Sequence, residues 1–187
     1  MGKMIIFSAP SGAGKSTVTR HLLKVFPQLE FSVSVTSRAS RGNEREGVDY
    51  YFVTPEEFRR LVAEDKLIEW QEVYKDNFYG TLRSELDRIW AKGHVIVFDI
   101  DVKGGLNLKE MFQEQAMAVF IMPPSVEELR RRLTSRGTDT PEVIERRIDK
   151  ATVELAYAQS FDAIIDNDDL DQTLAIAEKV VGGFINQ

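Results

Sequence analysis

Residues Ser8 to Thr17 read SAPSGAGKST, a glycine-rich turn with Lys15 and Ser16 directly behind the apolar run Met4-Ile5-Ile6-Phe7, and this arrangement suits a nucleotide phosphate. Gly12 and Gly14 can adopt backbone conformations closed to residues with a Cβ, so successive N–H groups can turn inward around an anion. Lys15 would then reach the β- and γ-phosphates and the Ser16 hydroxyl would hold Mg²⁺. The helix expected to begin here adds its positive N-terminal end. The simpler alternative is a flexible turn with a solvated lysine. The flanking strand-like run and the apolar spacing of Val18, Leu22, Val25 and Phe26 favour strand, phosphate loop and helix.

A second anion site is suggested between Ser34 and Tyr51, SVTSRASRGNEREGVDYY, where Arg38 and Arg41 stand among hydroxyl groups and before Tyr50. Guanidinium groups grip phosphate oxygens bidentately, and a tyrosine hydroxyl can complete the shell. Glu44, Arg45 and Glu46 also permit a plain surface cluster of ion pairs. Further along, His94 to Asp101 is an apolar strand pattern ending in Asp99 and Asp101, two acids at i and i+2 that share one side. At the carboxyl end of a strand in an open α/β sheet they would lie near the phosphate loop, although Asp101 can instead cap the next helix. Arg130, Arg131, Arg132, Arg136, Arg146 and Arg147 crowd into eighteen residues, as in a basic lid, with Arg132 and Arg136 on one helix face if that turn stays helical.

The elements that must carry these groups alternate between apolar strands and amphipathic helices. The pattern predicts core strands at 4–8, 94–99, 116–121 and 161–166, and helices near 15–26, 102–112, 126–134, 141–158 and 170–185. Thr54-Pro55-Glu56-Glu57 and Ser125-Val126-Glu127-Glu128 read as capping boxes, and Thr140-Pro141 places proline where its missing N–H costs nothing. Between 32 and 88 the pattern shifts to short strands, FSVSVT, YYFV and LIEWQEV, with one helix at 55–64, as expected of an inserted subdomain.

With 187 residues, 43% of them apolar, the chain suits one elaborated domain. A net charge of −6 argues against a general nucleic-acid or membrane-surface role, and no apolar run is long enough to span a bilayer. The absence of cysteine excludes thiolate chemistry and disulfides, and two histidines leave little for a histidine metal site. The N-terminus shows no signal-peptide pattern, so the expected location is the cytoplasm.

In order along the chain, the phosphate loop, SxxxRxxR followed by GxDYYF, EW then YGT, DID, PPS, RGT and NDD together resemble guanylate kinases, over nearly the whole length. The resemblance implies ATP-dependent phosphorylation of GMP to GDP with Mg²⁺, on a P-loop α/β core with a parallel sheet, a small mixed α/β GMP-binding insertion and a helical lid. It divides the chain into core at 1–31, 94–125 and 160–187, insertion at 32–88, and lid with adjoining helix at 126–158. It places ATP on Ser11, Gly12, Ala13, Gly14, Lys15, Ser16 and Thr17, with Arg132, Arg136 and Asn167, and implies that Arg147 touches phosphate. It places guanine on Ser34, Glu69 and Thr81, and the GMP phosphate on Arg38, Arg41, Tyr50 and Tyr79. Asp99 and Asp101 would lie close to GMP and to hydrated Mg²⁺, their division of labour open. Catalytic weight would fall on Lys15, Arg38, Arg136 and Arg147.

Asn167 equally suits an Asx turn before the last helix, and Arg130, Arg131 and Arg146 suit solvated or Glu-paired positions. Two departures from the family pattern stand out: Ala9 replaces the first glycine of the loop, and Val102-Lys103 follow Asp101 in place of an aromatic residue or Met and then Gln. Ala9 is tolerable at negative φ, and Lys103 either approaches the nucleotides or faces solvent. A GTPase switch would need an Asn-Lys-x-Asp motif, which is absent. A catalytically dead scaffold would be expected to show damage at Lys15, Arg38 or Arg41, which are intact. Another nucleoside monophosphate is the nearest alternative acceptor, because arginines that grip phosphate do not choose a base.

Overall fold

The computed structural model describes residues 2–135, 137 and 139–187. In chain order the strands are β1 (Met4–Ser8), β2 (Leu29–Phe31), β3 (Val35–Thr36), β4 (Tyr51–Phe52), β5 (Leu67–Tyr74), β6 (Asn77–Leu82), β7 (Val95–Asp99), β8 (Ala116–Met122) and β9 (Ala163–Asp166). The helices are α1 (Lys15–Val25), α2 (Pro55–Ala63), α3 (Arg83–Trp90), α4 (Val102–Phe112), α5 (Val126–Ser135), α6 (Pro141–Leu155) and α7 (Leu170–Ile185).

A five-stranded sheet in the order β2-β7-β1-β8-β9 forms the core, and every pairing in it is parallel. Its central strand, β1, is buried at every position, as the unbroken apolar run requires when helices cover both faces. Side chains alternate across the sheet. Ile5 and Phe7 pack with Val18, Leu22, Leu129, Ile148 and Val181 from the helices of one layer, while Met4 and Ile6 meet Leu86, Ile89 and Leu108 on the other. The reversal of strand order on either side of β1 places a crevice beyond its carboxyl end, where the loop of residues 9–14 begins.

The second sheet, in the order β4-β3-β6-β5, is mixed: β3 and β4 run parallel, and β6 is antiparallel to both β3 and β5. It closes on a small core of Val35, Phe58, Leu67 and Phe78, with Phe58 and Phe78 stacked at 5.2 Å between centroids. Thr54 caps α2 in the reciprocal box expected of Thr54-Pro55-Glu56-Glu57. At α5 only half of the box forms. The Ser125 hydroxyl accepts from the Glu128 N–H, but the Glu128 carboxylate turns instead to Arg131 and Arg132, which offer a stronger, charged partner.

Three elements differ from the sequence reading. FSVSVT is not one strand, since Phe31 ends β2 in the core sheet whereas Val35 begins β3 in the other. The chain therefore crosses between sheets at residues 32–34. An additional strand, β6, pairs with β5 through a hairpin turned at Asp76, whose φ is 60°. Strand β6 leads directly into α3, a helix the sequence reading did not include, whose Leu86 and Ile89 supply an i, i+3 apolar stripe to the core.

Candidate active site

The two sheets enclose a cavity of about 430 Å³ whose lining joins the loop residues 9–17 to Ser34, Tyr50, Glu69, Tyr79, Asp99 and Asp101. The phosphate loop runs from the buried end of β1, with Gly12 at φ 92° and Gly14 at φ 93°, the left-handed conformations that glycine permits. Among the described residues, positive φ outside glycine is confined to Asp65, Asp76 and Gln113, so Ala9 sits in ordinary backbone. Lys15 opens α1 and pairs with the Asp99 carboxylate, while its ammonium also donates to the Ile100 carbonyl at 3.2 Å.

Behind Tyr50 and Tyr79, and not itself part of the cavity lining, Arg38 is held tightly and is only 8% exposed. Its two terminal nitrogens donate to both oxygens of Glu44 at 2.7 Å, its Nε donates to the Tyr79 hydroxyl at 3.0 Å, and its guanidinium lies 4.8 Å from the Tyr50 ring centre. The Arg38 guanidinium holds the Glu44 carboxyl down at about 2. Glu69 faces the same cavity from β5. Burial pushes its carboxyl up to about 7, against the pull of the Thr81 hydroxyl, which donates to Glu69 Oε1 at 2.7 Å, and with a further push from the charge of Asp101. With its proton committed to Glu69, the Thr81 oxygen keeps its lone pairs for another donor.

Asp101 is the N-cap of α4, its Oδ1 accepting from the N–H groups of Lys103 at 2.9 Å and Gly104 at 3.0 Å. Capping and cavity lining are thus combined in one residue. Lys103 is exposed and borders a smaller neighbouring cleft.

Several expected site residues are not brought to the cavity wall. Arg41 is exposed, and its backbone N–H, not its side chain, meets Glu44. Arg132 is drawn away by Glu128 and by the Asn167 carbonyl, at 2.7 and 3.3 Å. Arg147 reaches the loop from α6, donating to Ser11 Oγ at 3.1 Å and facing Asp139. Arg136 lies outside the described residues. Arg130 and Arg131 pair with Glu145 and Glu128, and Arg146 is exposed. Asn167 does not cap α7, because Asp169 does so through the Gln172 N–H. Only 6% exposed, Asn167 donates from Nδ2 to the Ala13 carbonyl at 2.6 Å and so buttresses the phosphate loop from beneath.

The ion pair that the sequence reading allowed between Glu44 and the arginines forms with Arg38, whereas Glu85 was missed. Glu85 is 2% exposed and accepts from the Val33 N–H at 2.9 Å, the Tyr51 hydroxyl at 3.2 Å and Arg88, anchoring the crossing segment next to Ser34. Also missed were Lys150 and Glu154, which line the cavity from α6. Burial raises the Glu154 carboxyl, with Lys150 and Lys15 pulling the other way. Their i, i+4 spacing on the helix of Arg147 was the available signal.

The sequence profile described as guanylate kinase matches residues 1–182. The chain is 53% identical over 183 residues to the guanylate kinase of Bacteroides fragilis, covering 98% of this chain and 90% of that one. It is 49% identical over 186 residues to the guanylate kinase of Porphyromonas gingivalis, covering 99% of each. The crystal structure of guanylate kinase from Anaplasma phagocytophilum superposes with a TM-score of 0.80 at 36% identity, covering 100% of this chain and 87% of that one. A glycine loop carrying Lys15 that faces Ser34, Tyr50, Glu69 and Tyr79 across one cavity, on a chain matched almost end to end, makes this protein a member of the guanylate kinase family, which transfers a phosphoryl group from ATP to GMP.

Proposed function

We propose that ATP binds through Ser11 to Thr17 on the core sheet and GMP through the second sheet, with phosphoryl transfer in the cavity between them. The observation that carries this is the single cavity lined by both the phosphate loop and Ser34, Tyr50, Glu69 and Tyr79. Ser34, Glu69 and Thr81 would read guanine. Arg38, Tyr50 and Tyr79 would hold the GMP phosphate, the guanidinium donating to the Tyr79 hydroxyl at 3.0 Å and lying 4.8 Å from the Tyr50 ring centre. Arg41 joins them only if its loop turns inward. Lys15 offsets charge on the transferring group, and Arg136 and Arg147 are the lid's contributors, Arg147 being already on the loop through Ser11. Arg132 and Asn167 act on ATP through the loop they brace.

Among the described residues no three acidic or histidine side chains form a metal cage. One hydroxyl and two carboxylates around a phosphate loop do suit Mg²⁺, which keeps several waters and leans on substrate phosphates. Ser16 would hold it directly and Asp99 and Asp101 through water, and when bound it would neutralise charge on the ATP phosphates. GMP supplies the nucleophile, so the protein's work is alignment, charge neutralisation and exclusion of water. No helix among the described residues is long and apolar enough to cross a membrane; a cytoplasmic location is proposed from where ATP and GMP are found.

The test is a coupled assay of ADP release with ATP and each nucleoside monophosphate in turn. Only GMP is expected to support rapid turnover, and ADP release with no acceptor preference would remove the assignment. A sharper expectation concerns Arg38→Lys, which keeps the charge but loses the planar fork that engages two oxygens at once. KM for GMP should rise about tenfold while KM for ATP holds. Equal rises in both would place Arg38 in general folding and not on GMP.

A further inference from the structure

Gln71 lies in β5 two residues after Glu69, so the two side chains leave the same face of the strand. Its Nε2 donates to Asp101 Oδ1 at 3.0 Å, the oxygen that already accepts the N–H groups of Lys103 and Gly104. Asp101 is therefore a fixed anchor, its rotamer set by the helix it caps. Gln71 also stands opposite Tyr79 in the β5–β6 ladder, so it is rigidly linked to the tyrosine that touches Arg38. One turn into α4, Gly104 lets the strand come close: a Cβ there would lie 3.0 Å from Glu69 Oε2. The second sheet thus meets the core at two adjacent points of one strand face, Glu69 against Gly104 and Gln71 on Asp101.

We propose that Gln71 is a positioning residue that latches the guanine-reading strand to the core helix carrying Asp101, and so sets the register between the acceptor and the phosphoryl donor. The proposal rests on the assignment of GMP to the second sheet and ATP to the phosphate loop. If those two bodies each hold one reactant, neither substrate's own contacts fix their mutual alignment. A hydrogen bond between the bodies beside the reacting groups does so, and in-line transfer is sensitive to displacements of about 1 Å. The latch should therefore act on the rate of transfer more than on either binding step.

Gln71→Met keeps the length of the side chain and removes the donor, whereas Gln71→Glu sets a carboxylate against the Asp101 carboxylate. The chain has no cysteine, so Lys75→Cys in the second sheet's hairpin and Lys179→Cys in α7, both exposed, can carry spin labels on an otherwise wild-type background. In Gln71→Met, kcat is expected to fall about tenfold with the Kd for GMP within about threefold, and in Gln71→Glu to fall further. Without nucleotide, the label-to-label distance distribution should broaden in both variants at an unchanged melting temperature. A kcat within about twofold of wild type, an unchanged distance distribution, or a loss of rate matched by an equal loss of GMP affinity would each overturn the latch. Failure of the substrate assignment is separable, because it appears in the unsubstituted protein as indifference between GMP and AMP.

Discussion

Replacing Glu69 by glutamine is expected to lower kcat/KM for GMP by about two orders of magnitude, in a protein that otherwise prefers GMP to AMP by roughly 10⁴-fold. Guanine offers N1–H and the exocyclic N2–H₂ side by side, and an ionised Glu69 can accept from both, with Thr81 accepting beside it. Adenine turns a lone pair at N1 toward the carboxylate and leaves it buried without partners. Because the Glu69 carboxyl sits at about 7 in the unliganded protein, GMP must find it ionised, so apparent affinity should fall about tenfold per pH unit below that point. The same shift has a stability sign. Raised from 4.5 to about 7, the carboxyl favours the folded state fully below 4.5, and this contribution is lost as pH rises through 7. Unliganded Glu69→Gln should accordingly melt higher than wild type at pH 8, with the gap narrowing toward pH 5. Thermal melts across that range, beside GMP titrations, check both halves. A pH-independent GMP affinity would show that the carboxylate does not read the base.

Lys15→Ala should reduce turnover by about 10³-fold while leaving the Kd for GMP within about twofold. The motive is spatial separation: Lys15 belongs to the loop at the end of β1, whereas Tyr50 and Tyr79 hold the opposite wall with Arg38 behind them. Single-turnover kinetics with ATP and calorimetry with GMP separate the two quantities, and near-wild-type single-turnover rates would dismiss the assigned role.

Much of this site was legible from local pattern. The phosphate loop needs only a strand, two glycines and a helix in succession, and all three are contiguous in sequence. The buried strands β1, β7 and β8 announce themselves as apolar runs, and Thr54 carries its whole capping box within four residues. What escaped reading depends on contacts distant in sequence. The Asn167 amide meets the Ala13 carbonyl across 154 positions, and nothing near Asn167 distinguishes that from a turn. Phe31 and Val35 look like one alternating strand because β-propensity does not say which sheet a residue joins. By contrast, α3 and β6 did leave signals: Leu86, Ile89 and Trp90 hold helical spacing, and Lys75-Asp76-Asn77 separates two strand-like runs. Glu44 could be nominated from the sequence as one of several acids near Arg38, but its selection over Glu46 comes from the loop's three-dimensional course.

Lys15 on one wall and Arg38 behind the other are each already neutralised by a carboxylate of the chain itself, Asp99 and Glu44. If the substrate phosphates take Lys15 and Arg38 as proposed, each would enter by ion exchange, displacing an internal anion and not merely a hydration shell. Such an exchange sets a threshold on the incoming ligand: a singly charged anion offers no more than the carboxylate it replaces, whereas a phosphate brings more charge and more acceptor oxygens. It also makes the two arrivals chemically different. Glu44 would be released toward solvent on an outer loop, but Asp99 would be released inside the shared cavity, where a freed carboxylate would become available at the moment ATP took Lys15.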